Sequence, residues 1–117
     1  MSELPKRNHQ RIALNLRAHV SLPGITLDTA RVVDLSLGGV GVLTERSLPI
    51  GSRCNVIFRL TMPNGKLFTV TAVGKTMQST FSGSQSGFKT GVSFVEIPEM
   101  ALAAIGQYIQ DKNKPNR

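Results

Sequence analysis

The chain has 117 residues, with 14 Lys and Arg against 7 Asp and Glu, for a formal net charge of +7. This length fits one compact domain that buries about two thirds of its extended surface on folding. One cysteine, Cys54, and two histidines, His9 and His19, exclude a disulfide scaffold and a zinc finger, because there is no second thiol and no ligand-like spacing.

No run approaches the roughly 18 to 20 consecutive apolar residues that a spanning helix needs, and the first residues are polar where a signal peptide would be apolar. A soluble, cytoplasmic protein without membrane insertion is expected. The basic excess favours an anionic partner, since net charge governs steering and solubility rather than fold. With one Tyr, five Phe and no Trp, a broad platform for stacking a long single strand is hard to assemble.

In chain order, residues 1–15 are polar and basic without a sustained period and are expected to form a flexible arm. From Leu16 onward, short β-branched runs alternate with Gly and Pro, the pattern of an all-β barrel or sandwich. Val, Ile and Thr together make 26 residues, which favours strands. The first strand is predicted over Arg17 to Leu22, closed by a Pro23-Gly24 turn in which Gly takes positive φ. The second runs from Leu27 to Leu35. Gly38, Gly39 and Gly41 precede a third around Val40 to Thr44, and such a cluster at a strand end predicts a bulge or close backbone approach.

Arg53 to Thr61 alternates, placing Cys54, Val56, Phe58 and Leu60 on one face and Arg53, Asn55 and Arg59 toward water. Pro63-Asn64-Gly65 predicts a hairpin, returning through Lys66 to Met77 with Phe68, Val70 and Ala72 inward. Ser79 to Gly87 reads as a polar, mobile connection, and Phe88 to Val95 as the last strand. Pro98 then opens a short helix with Glu99 at its positive end. Its apolar stripe of Leu102, Ile105 and Ile109, joined by Tyr108, is suited to cover the barrel. The expected organisation is an arm over 1–15, a barrel with its helix over 16–111, and a basic tail over 112–117.

Two short patterns carry candidate chemistry: Arg7-x-x-x-Arg11, and Asp34-x-Ser36-x-x-Gly39. The first alone is common in a chain with eight Arg and equally suits a solvated basic tail. The second is rarer, although Asp and Ser also cap turn amides and Gly also takes positive φ. Together, in this order and context, they closely resemble the PilZ domain family. Gly91-Val92-Ser93-Phe94 is similar to the family's late Gly-x-x-Phe strand, and the resemblance covers nearly the whole chain. Many relatives have a further Arg before the pair, where this chain has Lys6.

The resemblance implies a six-stranded antiparallel β-barrel with a C-terminal helix. It also implies a receptor for the second messenger cyclic di-GMP (c-di-GMP), with outputs in motility, exopolysaccharide secretion or biofilm control. Arg7, Arg11, Asp34, Ser36 and Gly39 become the candidate ligand-binding residues, with Lys6 as a further one that could help hold a second ligand molecule. Guanidinium binds phosphate or the guanine O6/N7 edge through paired donors and stacks on bases. A carboxylate at Asp34 accepts from guanine N1–H and the exocyclic amine. Ser36 offers a hydroxyl, and Gly39 permits close backbone approach.

Gly91 and Phe94 are expected to serve strand and core, His9 to be a spacer in the arm, and Cys54 to be buried and inert. The dispersed acids and the absence of a nucleophile–base spacing point away from an enzyme; no metal or cofactor is expected. The leading reading is an adaptor that orders its arm on ligand and signals to a downstream protein. The alternatives are a small basic barrel binding nucleic acid and a PilZ-type protein-interaction module that ignores the nucleotide. A compact dianion suits the charge better than a nucleic acid polymer, with Lys6, Arg7 and Arg11 on the ligand and Arg53, Arg59, Lys66, Lys75 and Lys89 solvated.

Overall fold

Strict alternation in Arg53–Thr61 is realised as strand β4 (Arg53–Thr61), whose Cys54, Val56, Phe58 and Leu60 face a common core. The structure is a computed structural model that describes residues 10–113. The other strands are β1 (Ile12–Leu22), β2 (Ile25–Leu35), β3 (Gly39–Thr44), β5 (Leu67–Ser82) and β6 (Gly87–Glu96), followed by helix α1 (Glu99–Lys112). All neighbours pair antiparallel in the closed order β1-β2-β3-β6-β5-β4. Closure removes the open sheet edges that would otherwise invite pairing with other chains.

The expected six-stranded antiparallel barrel with a C-terminal helix is therefore the observed fold. Several boundaries differ. β1 begins at Ile12, inside the segment expected as an arm, because Ile12, Leu14 and Leu16 alternate and pack against the core. The Ser/Gly stretch expected as a mobile connection is largely strand: β5 runs to Ser82 and β6 starts at Gly87, so only a tight turn remains. There the Phe81 and Phe88 rings meet edge to face at 5.4 Å and close the ribbon. Residues 1–9 and 114–117, including most of the expected arm and tail, lie outside the described residues.

The turns follow the local chemistry. Gly24 and Gly65 take φ of +78° and +86°, the left-handed region that glycine occupies without penalty. In the β4–β5 hairpin Asn64 accepts the Lys66 amide on Oδ1 at 2.9 Å, and the Gly65 amide reaches the Met62 carbonyl at 2.8 Å. Pro98 caps α1 in an extended conformation rather than occupying its first turn, and its carbonyl accepts the Leu102 amide at 3.0 Å.

α1 buries Ala101, Ala104, Ile105, Tyr108 and Ile109. Leu102, expected on this stripe, is only half-buried, and Ala101 takes its place. Ile105, Tyr108 and Ile109 join Leu35, Leu60, Val70 and the other inward strand residues in one cluster. Among the described residues no helix is long and apolar enough to cross a membrane.

Candidate functional site

A β-bulge creates the site. In a regular strand, residues three apart face opposite sides, yet Val32 and Leu35 of β2 are both in the core with no exposure. The register shift between Val32 and Asp34 against β3 supplies the extra residue. It turns Asp34 to the outside, where its partners across the sheet are Ala13 and Gly41.

Asp34 then lies flat on the outer surface of β3. A Cβ on Gly41 would sit 2.6 Å from Asp34 Oδ2, so this floor exists only because residue 41 is glycine. Both carboxylate oxygens are bound: Arg11 Nη1 reaches Oδ1 at 2.6 Å, and Lys89 Nζ reaches Oδ2 at 2.7 Å. Asp34 is 9% exposed, whereas the Arg11 and Lys89 side chains are 62% and 44% exposed. A shielded carboxylate thus holds two solvent-facing cations.

Beside this cluster the turn between β2 and β3 is pinned from within. Ser36 donates its amide to the Gly39 carbonyl at 2.9 Å and accepts the Gly38 amide on Oγ at 3.1 Å. The Phe94 amide of β6 binds the Gly38 carbonyl at 2.9 Å, fastening the turn to the neighbouring strand. A Cβ at Gly39 would collide with the Val92 carbonyl oxygen, so close backbone approach fixes this residue. The Ser36 hydroxyl, expected to face a ligand, is buried and engaged in the turn.

Next to the turn, a groove of about 470 Å³ is lined by Arg11, Ser36, Gly39, Gln78, Gly91 and Ser93, among others. A second bulge, between Thr76 and Gln78 of β5, shapes its far wall and leaves Met77 exposed. Bulges of this kind commonly re-aim side chains beside functional sites. Gly91 corrects an expectation: a Cβ there would meet nothing within 4 Å, so packing does not require glycine. Its missing side chain instead leaves the groove floor bare, while Phe94 packs against the core as expected.

The structure thus brings together Arg11, Asp34, Ser36 and Gly39; Lys6, Arg7 and His9 lie outside the described residues. Sequence reasoning missed Lys89, expected as a solvated strand residue, because only the register Gly41↔Gly91 and Leu43↔Lys89 carries it to Asp34. Gly41 was legible as one of the glycine cluster, but its role under the carboxylate was not. Cys54 is buried, and desolvation pushes its thiol pKa up, partly opposed by a backbone hydrogen bond with Gly74. Among the described residues no three His, Cys, Asp or Glu cluster as a metal site.

Known proteins agree with this architecture. The Bacillus subtilis inhibitor of motility MotI/DgrA superposes with a TM-score of 0.81 at 17% identity, covering 100% of this chain and 56% of that one. YcgR from Escherichia coli, solved in complex with c-di-GMP, gives 0.68 at 20% identity over 92% of this chain and 46% of its own. PlzA from Borreliella burgdorferi, also in complex with c-di-GMP, gives 0.58 at 20% identity over 86% of this chain and 39% of its own. The chain thus spans about half the length of these structures or less. No curated protein matches it in sequence. The PilZ domain family matches residues 5–111, and the chain belongs to that family.

Proposed function

We propose that this protein is a receptor for c-di-GMP. The observation that carries the reading is the Asp34 carboxylate held between Arg11 and Lys89 at the lip of a groove with a bare glycine floor. The c-di-GMP complexes of YcgR and PlzA, which share the fold, support it.

The ligand offers two phosphate charges and two guanine edges, and the cluster offers the complementary set. Arg11 and Lys89 neutralise Asp34. On binding, the cations turn to phosphate or to guanine O6/N7, and the carboxylate accepts guanine N1–H and the exocyclic amine. Arg7 adds a second guanidinium from the preceding segment, Lys6 is a further cation there, and Gly39 lets the turn lie close against β6 at the edge of the groove. At about 1.5 to 3 kcal/mol per charge-assisted contact, four contacts nearly match the roughly 8.2 kcal/mol of a micromolar complex, before ordering costs. No bond is made or broken. The protein acts as an adaptor whose basic N-terminal segment orders against the barrel and is read by a downstream protein in motility, exopolysaccharide or biofilm control.

Calorimetry of the full chain with c-di-GMP tests the proposal. Saturable binding is expected, weakened at least about tenfold, or 1.4 kcal/mol, by Arg7→Ala or Arg11→Ala. No saturable binding at tens of micromolar ligand overturns it and leaves a protein-interaction module. A nucleic-acid barrel would instead bind an oligonucleotide with an affinity that falls steeply with salt, following the number of phosphates contacted.

A further inference from the structure

Away from the Asp34 cluster, the barrel wall opens between β1 and β4. The two strands pair only from Ala18↔Phe58 to Ser21↔Asn55, although β1 starts at Ile12 and β4 continues to Thr61. Arg17 and Arg59 are the next residues beyond the last pair, on the outer face. Where the strands part, a hollow of about 390 Å³ is lined by Leu16, Arg17, His19, Ile57, Arg59 and Leu67, among others.

The charge around this hollow is arranged unfavourably for a surface left to solvent. Arg17 stands directly opposite Arg31 of β2, and like charges at cross-strand positions destabilise a sheet. Arg31, Arg17 and Arg59 thus follow one another on three adjacent strands. Among the described residues no carboxylate lies within ion-pair distance of any of the three. Arg31 Nη1 donates to the neutral Asn15 Oδ1 at 2.9 Å. Asp28 is the acidic residue in the hollow, and it is held by His19 Nδ1 at 2.7 Å.

Between the arginines the surface is apolar. Leu67 is 59% exposed, and Ile57 and Leu16 are half-buried. Phe58 points inward at 2% exposure, and the one ring the hollow presents, the His19 imidazole, is tied to Asp28, so there is no aromatic platform for stacking successive bases. Guanidiniums around exposed aliphatic groups suit a protein partner, for which arginine is enriched at interface cores. Successive same-face side chains of an extended segment lie about 6.8 Å apart, a spacing that long arginine side chains on neighbouring strands can meet.

We propose that this hollow docks an extended acidic segment of a protein partner, with its carboxylates on Arg17, Arg59 and Arg31 and an apolar side chain against Ile57 and Leu67. The surface shares no residue with the Asp34 cluster or its groove. It would give a ligand receptor a separate contact for its partner.

The test is fluorescence anisotropy on the full chain with a labelled 12-residue peptide of Glu-Glu-Leu repeats, alongside a matching Lys-Lys-Leu peptide and a 12-nucleotide oligo-dT. Saturable binding of the Glu peptide alone is expected. Arg17→Glu with Arg59→Glu should weaken it at least tenfold, and Leu67→Ser at least threefold, with the c-di-GMP titration unchanged and the melting temperature not lowered. Arg17→Gln with Arg59→Gln, which adds no charge, should give an intermediate loss and guards against misfolding of the reversal. No saturable binding of the Glu peptide, binding indifferent to these substitutions, or tighter binding of oligo-dT through the same arginines overturns the proposal. Loss of c-di-GMP binding in Arg11→Ala without loss of peptide binding would separate the two sites.

Discussion

Replacing Asp34 by Ala sets two opposing effects against each other, and the structure indicates which is larger. Asp34 holds Arg11 at 2.6 Å and Lys89 at 2.7 Å, but the cationic side chains are 62% and 44% exposed. Solvent screening limits such pairs to roughly 0.5 to 1 kcal/mol each. Removing Asp34 therefore spares an incoming dianion about 1 to 2 kcal/mol of pair breaking. The same substitution removes two charge-assisted acceptors for a guanine edge, worth about 1.5 to 3 kcal/mol each.

The acceptor loss exceeds the gain by about 1 kcal/mol or more, so Asp34→Ala is expected to weaken c-di-GMP at least about fivefold. Lys89→Ala removes a cation that the proposed binding mode turns to phosphate and should weaken binding, with a smaller dependence of affinity on salt; Lys89→Arg should restore both. Calorimetry at two salt concentrations reads these effects. A double substitution of Asp34 and Lys89 should be non-additive because the groups are in contact. Unchanged affinity in Asp34→Ala, or strict additivity with Lys89→Ala, would refute the proposed exchange of partners.

The two glycines of the site should part company. Gly41→Ala puts a methyl group 2.6 Å from Asp34 Oδ2 and should cost ligand affinity by displacing the carboxylate, whereas Gly91→Ala meets no protein atom and should leave the melting temperature intact while intruding on the groove; titration and thermal unfolding of both variants distinguish these outcomes. Ile105→Ala, at a fully buried helix position, should lower stability by about 2 to 5 kcal/mol in urea denaturation through the cavity it leaves. Burial raises the Cys54 thiol pKa, so the neutral form favours the fold and its contribution is complete below the ordinary thiol value of 9.0. As pH rises past that value the unfolded thiol ionises first and this contribution declines. Cys54→Ala should show a shallower fall in melting temperature between about pH 8 and 10; an identical fall in both proteins would contradict the assignment.

Much of the barrel was legible in the sequence because each strand has one buried face. β4 declares its inward residues by alternation, and Gly24 and Gly65 mark turns that need positive φ. What escaped was non-local. The extension of β5 to Ser82 is hidden behind a Ser/Gly composition, since the pairing Phe81↔Phe88 acts across the turn. The start of β1 at Ile12 was masked by neighbouring polar residues, although Ile12, Leu14 and Leu16 alternate.

The site shows the same division. Asp34, Ser36 and Gly39 stand close in sequence and belong to one turn, so their association could be read directly. Lys89 is 55 positions from Asp34 and reaches it only through the β2–β3–β6 register and the bulge that reverses Asp34. The bulge is not encoded by any single residue type. It follows from the demand that both Val32 and Leu35 enter the core while Gly41 offers a floor for the displaced carboxylate.

The net charge of +7 accordingly resolves into groups with different physical circumstances. Lys89, which composition and spacing assign to a solvated strand face, is bound to a shielded carboxylate. Arg59 stands with Arg17 where β1 and β4 part, and Arg17 in turn faces Arg31. Arg53 is paired with the Glu96 carboxylate at 3.4 Å, between side chains 63% and 66% exposed, an arrangement that contributes little. Two of the three groups therefore carry cations brought together by strand register, one around a buried-side acceptor and one around an apolar hollow. Both place positive charge where a partner can desolvate it, and there an ionic contact is worth more than it is on an open surface.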